Sequence, residues 1–290
     1  MKNIIITGMD SYIGNSIQNW LENQIGQFTV KQLDVRSDAW KKENFTAIDV
    51  IIHVAGIVHQ RVGYDWRAYK SVNVDLPVEI ARKAKKDGVG QFVFMSTMAV
   101  YGIEKKLHPN IINNESKLLA QDLYGKSKLI AEIALKELED NRFVVSVVRP
   151  PNVYGKGCKG RYISGFTSIV KTLPVIPLIY NNVKQSMIYV DNLSELIRLI
   201  IESRAGGVYT PQDKKSVSAV ELMSAIAEGL GRPKKKSKIM GLFIYVMSFL
   251  PIVRKVYGGI EYDLNISTAF NFNYVVVPFY EAIRRTVYDD

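Results

Sequence analysis

The first seventeen residues, MKNIIITGMDSYIGNSI (residues 1–17), decide how the rest of the chain is interpreted. A short apolar run ends at Thr7, a turn begins at Gly8, and a helical pattern starts near Tyr12. A strand, a glycine turn and a helix N-terminus together point backbone N–H groups at an anion, and the helix dipole favours negative charge there. The segment therefore predicts a phosphate-binding turn.

This turn has glycine at its first and last positions but not in its middle. Gly8 permits the tight turn and Gly14 lets the helix pack closely on the sheet, whereas Ser11 stands where the backbone should come nearest a pyrophosphate. One interpretation is that the Ser11 hydroxyl hydrogen-bonds phosphate. The other is an ordinary strand-to-helix turn, and the motif alone leaves both open.

Apolar, β-branched runs alternate with helical patterns through the first half of the chain. The predicted strands are 3–7, 28–34, 49–55, 91–96 and 143–149, and the predicted helices lie near 12–24, 39–44, 70–87 and 116–139. Several of the strands are almost wholly apolar, as expected when both faces of a sheet are buried. The pattern predicts an α/β fold in which helices cover both faces of a parallel sheet.

After about residue 155 this alternation stops. Residues 156–188 carry prolines among short apolar pieces and are interpreted as an inserted loop region with little regular structure. Helices are predicted again at 193–204 and 218–230. A second lobe is therefore expected to begin after the predicted sheet.

The composition indicates the cellular compartment of the protein and the kind of partner that it binds. The 290-residue chain is long enough for one large α/β domain or two small lobes. Its single cysteine, Cys158, excludes an internal disulfide, and the N-terminal apolar run is too short for a secretory core, so a cytoplasmic protein is expected. The net charge of +10 indicates an anionic partner. The densest basic run, 232–238, lacks interleaved aromatic residues, which disfavours nucleic acid and favours a solvated loop.

Two charged residues follow the second predicted strand. Asp34 ends that strand about 20 residues beyond the helix start, where a carboxylate could accept hydrogen bonds from the hydroxyls of an adenosine ribose. Arg36 could instead pair with a 2′-phosphate, so the residues favour NAD over NADP only modestly. A simple surface turn would also explain both residues.

Candidate catalytic residues appear further along the chain. Tyr124 and Lys128 are four residues apart, which places both side chains on one helical face. An ammonium beside a tyrosine stabilises the phenolate and lowers its pKa towards the range useful for proton transfer. Ser96 and Thr97 end a buried strand, where hydroxyls face the usual ligand crevice of a parallel sheet or cap the following turn. By itself the tyrosine–lysine pair could equally be an exposed helical face.

Taken together, these pieces resemble the extended short-chain dehydrogenase/reductase family, in its nucleotide-sugar epimerase and dehydratase branch. The segments that carry the resemblance are Thr7-Gly8 through Gly14, His53-Val54-Ala55-Gly56, Asn73, Ser96-Thr97 with Val100-Tyr101-Gly102, Tyr124 with Lys128, and RPPNVYG at Arg149 to Gly155. The resemblance implies a Rossmann-type doubly wound parallel sheet with a small C-terminal substrate lobe. It implies a dinucleotide-binding domain over 1–155 and a mainly substrate-binding lobe over 156–290, with segments that return to the Rossmann core.

The same resemblance implies a role for each candidate residue. Tyr124 would exchange a proton with a sugar hydroxyl, Thr97 would hydrogen-bond that hydroxyl, and Lys128 would lower the Tyr124 pKa and hold the nicotinamide ribose while hydride moves to or from nicotinamide C4. The residues implied to bind NAD, or NADP as the alternative, are Gly8, Ser11, Tyr12, Ile13, Gly14, Asp34, Arg36, Val54, Ala55, Gly56, Asn73, Tyr124 and Lys128.

The substrate residues implied by the resemblance are Thr97, Asn152, Lys184 and Gln185. Asn152 would contact the substrate diphosphate. An arginine often seen at the substrate phosphate is replaced here by Gln185 with Lys184 adjacent, and a lysine is a less directional phosphate contact. The resemblance also implies a homodimer.

One departure from the family pattern narrows the reaction. Dehydratases of this branch place Asp and Glu directly after the active-site threonine, whereas Met98 and Ala99 follow Thr97 here. Elimination is therefore disfavoured. The remaining reactions are 4-epimerisation of a UDP-sugar, which we favour narrowly, and NAD(P)H-dependent reduction of a nucleotide 4-keto-6-deoxy sugar.

A hypothesis of another class rests on IMGLFIYVMSFLPIV at 239–253, which is almost wholly apolar and has basic residues on both sides. The segment is too short to span a membrane but could lie in a membrane interface, so a non-catalytic membrane-surface scaffold is a third interpretation. We prefer a buried helix or two closing the substrate lobe. No metal is predicted, because the cysteine and the histidines, including His53 and His59, show no metal-ligand spacing.

Overall fold

The computed structural model describes residues 1–58, 65–158 and 160–288. The strands are β1 (Lys2–Thr7), β2 (Phe28–Leu33), β3 (Val50–His53), β4 (Gln91–Met95), β5 (Ile111–Ile112), β6 (Val144–Val148), β7 (Asn152–Tyr154), β8 (Ile176–Pro177), β9 (Lys184–Gln185), β10 (Met187–Tyr189), β11 (Gly207–Tyr209), β12 (Val217–Ser218), β13 (Lys236–Ser237) and β14 (Glu261–Tyr262). The α-helices are α1 (Tyr12–Glu22), α2 (Trp66–Tyr69), α3 (Leu76–Lys86), α4 (Leu123–Lys136), α5 (Arg161–Thr172), α6 (Val190–Ser203), α7 (Ala219–Gly229), α8 (Lys238–Val246), α9 (Pro251–Tyr257), α10 (Leu264–Thr268) and α11 (Phe279–Val287).

The chain folds into two compact units. The first unit comprises Met1–Gly102, Lys117–Pro150 and Leu193–Pro211. The second comprises Ile103–Ser116, Pro151–Asn192 and Gln212–Asp290. Residues 103–116 and 151–155, which fall inside the expected dinucleotide-binding range of 1–155, group with the second unit, and 193–211 returns to the first.

The first unit is built on a six-stranded parallel sheet. Its strand order is β11-β6-β4-β3-β1-β2, and every neighbouring pair is parallel. All residues of β3 and β4 are buried, because their apolar side chains pack under helices on both faces. β1 lies between β2 and β3, so the strand order reverses there, and open α/β sheets bind ligands outside the carboxyl ends of the strands at such a point.

The helix boundaries follow from capping residues that the sequence patterns did not resolve. The helix expected near 116–139 begins only at Leu123, because the Asp122 carboxylate accepts a hydrogen bond from the Gly125 N–H at 2.6 Å and caps α4. The helix expected at 70–87 starts earlier, at α2, and continues into α3 through a π-helical segment, Lys70–Asp75. The expected helix at 39–44 is a 3-10 turn, Asp38–Lys42.

The second unit combines short strand pairs with helices. The pairs are β7 with β10, β9 with β12, β8 with β13, and β5 with β14. The expectation of little regular structure over 156–188 is wrong, because that stretch contains α5. Ile163, Phe166 and Val170 recur at helical spacing on α5 and are buried in the core of this unit.

The segment 239–253 forms helices α8 and α9, but they are not the buried helices that we preferred. Most of its large apolar side chains are exposed; Ile239, for example, is 85% exposed and Phe249 is 77% exposed. Gly241 is the buried residue of α8, and Val253 and Tyr257 are the buried residues of α9. Across residues 1–58, 65–158 and 160–288, no helix has both the length and the apolar character needed to cross a membrane.

Candidate functional site

The turn between β1 and α1 has a backbone that requires glycine at its first position. Gly8 has a φ of +96°, and a Cβ there would lie 2.9 Å from the Ala55 nitrogen. The turn thus lies directly against the segment that follows β3. The Ser11 N–H donates to the Gly8 carbonyl at 3.0 Å and closes the turn.

Ser11 caps α1. Its Oγ accepts a hydrogen bond from the Gly14 N–H at 3.0 Å, and a Cβ on Gly14 would lie only 2.5 Å from that oxygen. The same Cβ would lie 3.5 Å from Ile6 Cγ2, which is an ordinary contact, so the close approach at Gly14 is to the Ser11 cap. Tyr12 and Ile13 form the first turn of α1 and are half-buried. The cap engages a lone pair of the Ser11 hydroxyl and leaves its hydrogen available for donation.

Asp34 and Arg36 form an ion pair directly after β2. The guanidinium donates from Nε and Nη2 to the carboxylate oxygens, at 2.9 Å to Oδ1 and 2.7 Å to Oδ2. Hydrogen bonds from the Arg36 side chain and backbone lower the pKa of Asp34 to about 2. Both side chains are exposed at the end of the strand. The structure therefore presents an ionised carboxylate and a guanidinium side by side.

Asn73 fastens the segment that follows β3 to helix α4. The Ile57 N–H donates to Asn73 Oδ1 at 2.8 Å, and Asn73 Nδ2 donates to the Ile57 carbonyl and to Ser127 Oγ, both at 3.0 Å. Asn73 is fully buried, whereas Val54 and Ala55 are half-buried and Gly56 is exposed. The hydrogen bonds of the buried Asn73 to the Ile57 backbone thus hold the predicted cofactor-binding stretch 54–56 in position.

Lys128 projects from α4 to the same segment. A Cβ on Gly56 would lie 3.4 Å from Lys128 Nζ, and that ammonium donates to the Met95 carbonyl at 2.8 Å. It also lies 4.5 Å from the centroid of the Phe94 ring. Burial lowers the pKa of Lys128 to about 8, and the Glu132 carboxylate opposes this shift. The structure thus brings Lys128 close to Gly56, and the predicted role of both residues in cofactor binding stays a prediction.

Tyr124 and Thr97 are also brought together. Tyr124 lies in the first turn of α4, and its side chain hydrogen-bonds the side chain of Thr97. Burial raises the pKa of Tyr124 to about 12, and the Thr97 hydrogen bond only partly opposes this rise. The expectation that Lys128 lowers the Tyr124 pKa is wrong for this structure, because desolvation dominates and the Lys128 ammonium binds the Met95 carbonyl.

The close approach of α4 to the turn after β4 positions this pair. Thr97 caps the 3-10 turn Met98–Tyr101, with its Oγ1 accepting from the Ala99 N–H at 3.2 Å. A Cβ on Gly125 would lie 2.6 Å from the Ala99 carbonyl oxygen. Gly125 therefore permits the contact, and sequence reasoning missed it. The available signal was a glycine directly after the candidate tyrosine in a helix, where glycine is otherwise unfavourable.

A buried ion pair supports the same turn, and sequence reasoning assigned it no function. Arg149 Nη2 donates to Glu132 Oε2 at 2.6 Å, and Arg149 Nη1 donates to the Tyr101 hydroxyl at 3.0 Å. The Ser96 hydroxyl donates to Glu132 Oε1. This network connects α4 with the ends of β4 and β6, so it holds the strand ends that carry Thr97.

The second unit carries the remaining predicted residues. Asn152 is exposed on β7 and is paired with Met187 of β10, while Lys184 and Gln185 form β9. Gln185 is buried, and its Oε1 accepts a hydrogen bond from Lys105 Nζ at 3.2 Å. Lys105 was missed at the sequence level, and it gives the Gln185 side chain a partner within the protein.

The described parts of the chain contain no cluster of three or more His, Cys, Asp or Glu side chains that could hold a metal ion. His53 is buried on β3, where its Nδ1 lies 2.9 Å from Thr7 Oγ1. Burial and the charge of Lys128 lower the pKa of His53 to about 3, so its ring is neutral near neutral pH. His59 lies outside the described residues.

Comparison with known proteins agrees with this geometry. Residues 4–210 match the model of the NAD dependent epimerase/dehydratase family. Since the match covers more than half of the chain, the protein belongs to this family. This confirms the resemblance seen in the sequence and the expected class of enzyme.

Two characterised relatives are similar along most of their length. The chain is 28% identical to a UDP-glucose 4-epimerase of Vibrio cholerae over 226 residues, which are 74% of this chain and 69% of the relative. It is 25% identical to an N-acetyl-alpha-D-glucosaminyl-diphospho-ditrans,octacis-undecaprenol 4-epimerase of Escherichia coli O157:H7 over 254 residues, which are 79% of this chain and 73% of the relative.

Solved structures share the fold. A UDP-glucuronic acid 4-epimerase from Bacillus cereus in complex with NAD superposes with a TM-score of 0.72 at 17% identity, covering 98% of this chain and 95% of that one. The protein RMD from Pseudomonas aeruginosa, complexed with NADPH, superposes with a TM-score of 0.74 at 17% identity and covers 99% of both chains. These likenesses confirm the predicted Rossmann-type parallel sheet.

Proposed function

We propose that the protein interconverts the C4 epimers of a hexose or N-acetylhexosamine carried on UDP, with NAD as its cofactor. The observation that carries the proposal is the hydrogen-bonded Thr97–Tyr124 pair in a chain of the NAD-dependent epimerase/dehydratase family. Similarity to two 4-epimerases supports the C4 position. The remaining steps concern the cofactor and the proton.

The residues of the first unit fit a dinucleotide. The glycine turn at Gly8 and the N-terminus of α1 present backbone N–H groups that suit a pyrophosphate. The ionised Asp34 suits the hydroxyls of an adenosine ribose. Gly56 lets the segment after β3 lie against Lys128, where a Cβ would be 3.4 Å from Nζ, and we assign this ammonium to the second ribose. A bound nicotinamide ring supplies a hydride acceptor and donor.

Tyr124 is suited to move the proton that accompanies the hydride. With a pKa raised to about 12, its hydroxyl is protonated at neutral pH and can give a proton to a developing alkoxide at C4. In the oxidising direction Tyr124 first loses this proton to solvent, and the resulting phenolate oxygen takes the proton from the C4 hydroxyl. Thr97 orients both oxygens through its hydroxyl.

The residues after Thr97 support epimerisation over elimination. Met98 and Ala99 form the 3-10 turn, and neither side chain can act as an acid or a base. The proposed reaction needs only one proton-transfer group, because hydride is removed and returned at the same carbon. The keto-sugar must turn over between the two transfers.

A second candidate function is the same 4-epimerisation on a sugar that is carried by a lipid diphosphate instead of UDP. The relative from Escherichia coli O157:H7 is a 4-epimerase of a sugar on an undecaprenyl diphosphate, and its alignment covers more of this chain than that of the UDP-glucose 4-epimerase. Both carriers attach the sugar through a diphosphate. A lipid diphosphate is therefore the second substrate class that we consider.

The test follows the configuration at C4 by NMR. The protein is incubated with UDP-glucose, UDP-galactose and their N-acetyl counterparts without added reductant, and in parallel with a polyprenyl-diphosphate N-acetylglucosamine in detergent. Interconversion of a UDP-sugar is the expected result. Interconversion of only the lipid-linked sugar would establish the second candidate. No interconversion in any of them, with stoichiometric NADPH consumption on a 4-keto-6-deoxy nucleotide sugar, would establish a 4-ketoreductase instead.

A further inference from the structure

A group of exposed apolar side chains in the second unit lies on α8, α9 and the turn that joins them. We define it as the apolar patch. Its members are exposed by more than half, and they are Ile239, Leu242, Phe243, Tyr245, Val246, Phe249 and Ile252. We propose that the apolar patch docks the protein on the surface of an anionic phospholipid bilayer.

The apolar patch is exposed although helix α8, which carries most of it, is held firmly in the second unit. Ser237 caps α8 by accepting a hydrogen bond from the Met240 N–H at 3.2 Å, and β13 before it pairs with β8. A Cβ on Gly241 would lie 2.3 Å from the Leu178 carbonyl oxygen, so the helix is pressed against the chain at that point. The helix therefore has a fixed inner face, and its outer face cannot turn inward.

Both faces of α8 are apolar. Ile244 of α8, with Met247 and Leu250 of the turn that follows, packs against the core of the second unit, whereas Phe243 and Val246 of α8 are exposed. A helix that is apolar all round is normally buried in a protein or in a lipid phase. An exposed patch of this kind marks an interaction site.

The charges around the apolar patch fit an anionic surface. Residues 229–260 contain no Asp or Glu, while Lys235, Lys236 and Lys238 precede the patch and are exposed. After the patch, Arg254 and Lys255 line a cleft of about 270 Å³ together with Glu104, Lys105 and Pro251. Each basic residue near an anionic membrane typically raises partitioning about fivefold.

A bilayer fits these charges better than a second copy of the chain. In a two-fold dimer the patch would meet itself, and because both of its ends are basic, either alignment would bring like charges together. An anionic bilayer offers an apolar layer for Phe243 and Phe249 and phosphate groups for Arg254 and Lys255. The inference requires no particular reaction at the catalytic site.

The test is flotation of the full chain with vesicles of phosphatidylcholine alone and of phosphatidylcholine mixed with phosphatidylglycerol. We expect binding to the anionic vesicles and roughly a thousandfold weaker binding to the neutral ones, because five exposed basic residues flank the patch. The double variant Phe243→Glu/Phe249→Glu should lose about tenfold or more of the binding to anionic vesicles, because charged side chains resist insertion into the interface. Ile25→Glu is the matched control, since Ile25 is 94% exposed in the first unit, and it should bind as the wild type does.

A second pair of variants tests how much the basic residues beside the apolar patch contribute to vesicle binding. Arg254→Gln/Lys255→Gln should weaken binding to anionic vesicles by about 25-fold, whereas the exposed pair Lys42→Gln/Lys86→Gln, which removes the same net charge, should not. Circular dichroism and thermal unfolding verify that each variant is folded. The proposal is overturned if the wild type fails to float with anionic vesicles or if the Phe243/Phe249 variant floats equally well. It is also overturned if that variant instead converts a dimer into monomers in sedimentation velocity without any vesicle binding, since the occupant would then be a second copy.

Discussion

Gly125 lies so close to Ala99 that a methyl group on its Cα would come within 2.6 Å of the Ala99 carbonyl oxygen. This contact joins the first turn of α4, which carries Tyr124, to the 3-10 turn capped by Thr97. The distance between the two hydroxyl-bearing side chains is therefore set by backbone packing. A change at Gly125 should disturb stability and catalysis together.

We predict that Gly125→Ala lowers the free energy of unfolding by about 1–3 kcal/mol, because the methyl group must displace backbone rather than a flexible side chain. Gly165→Ala on α5 is the control, since no atom lies within 4 Å of its added Cβ, and it should be neutral or stabilise by up to about 1 kcal/mol. Denaturant unfolding gives both values. If the two alanine variants unfold with the same free energy, the contact with Ala99 is not a constraint.

Tyr124→Phe should abolish most turnover while nucleotide-sugar binding stays largely intact. The change removes the proton-carrying hydroxyl without opening a cavity, and such proton transfer is worth ~10²–10⁴-fold. Thr97→Ala should lose less, because the tyrosine remains. Calorimetry measures binding and the NMR assay measures turnover. Near-normal turnover of Tyr124→Phe would remove the tyrosine from the mechanism.

Cofactor affinity should fall as pH rises through about 8. The pKa of Lys128 is lowered to about 8, so its ammonium is charged below that pH and becomes neutral above it. A neutral amine gives a weaker hydrogen bond to the ribose than an ammonium does. Titrations with NAD between about pH 7 and about pH 9 measure the effect.

Lys128→Met should bind NAD weakly across this range, without the step near pH 8. Lys126→Met is the matched control, because Lys126 is an exposed lysine of the same helix. It should retain the wild-type pH profile. A wild-type affinity that stays flat through pH 8 would contradict the assignment of this pKa to a residue that contacts the cofactor.

The sheet was predictable from the sequence because its strands are chemically distinctive. β3 and β4 are continuous apolar runs with both faces buried, and such runs are hard to mistake for loops. The start of α4 was not predictable to the residue, since it depends on whether Asp122 caps a helix or stays in a turn. The residues around Asp122 are compatible with a helix cap and with a turn, and only the contacts of the folded protein select the cap.

The candidate site was predictable in its residues but not in its electrostatics. Tyr124, Lys128 and Thr97 could be identified from spacing and resemblance. Burial raises the pKa of Tyr124, and the Met95 carbonyl accepts a hydrogen bond from Lys128; neither feature has a local sequence signal. The exposure of α8 was also not predictable from the sequence, because the sequence of an apolar helix does not show which of its faces packs against the rest of the protein.

The pair of Asp34 and Arg36 should determine which dinucleotide binds. Asp34→Ala should weaken NAD binding, because it removes the carboxylate expected to hold the ribose hydroxyls. Arg36→Ala should weaken NADP binding specifically, since a guanidinium there can pair with a 2′-phosphate. Calorimetry with both cofactors measures the two effects. Glu43→Ala, which breaks the exposed Lys31–Glu43 ion pair, should change neither affinity. Equal losses of both cofactors in Arg36→Ala would show that the arginine acts only by orienting Asp34.

Ser11 should be needed for both the cap of α1 and the phosphate. Ser11→Ala removes the oxygen that accepts from the Gly14 N–H, so we expect a loss of about 1 kcal/mol in unfolding free energy together with weaker NAD binding. Ser11→Gly should cost only a few tenths of a kcal/mol and keep or tighten NAD binding, because a bare backbone lets the pyrophosphate approach more closely. Ser237→Ala removes the corresponding cap of α8, so it should lower stability and leave NAD affinity unchanged. If Ser11→Ala loses stability as Ser237→Ala does but binds NAD as tightly as the wild type, the Ser11 hydroxyl caps the helix and has no contact with phosphate.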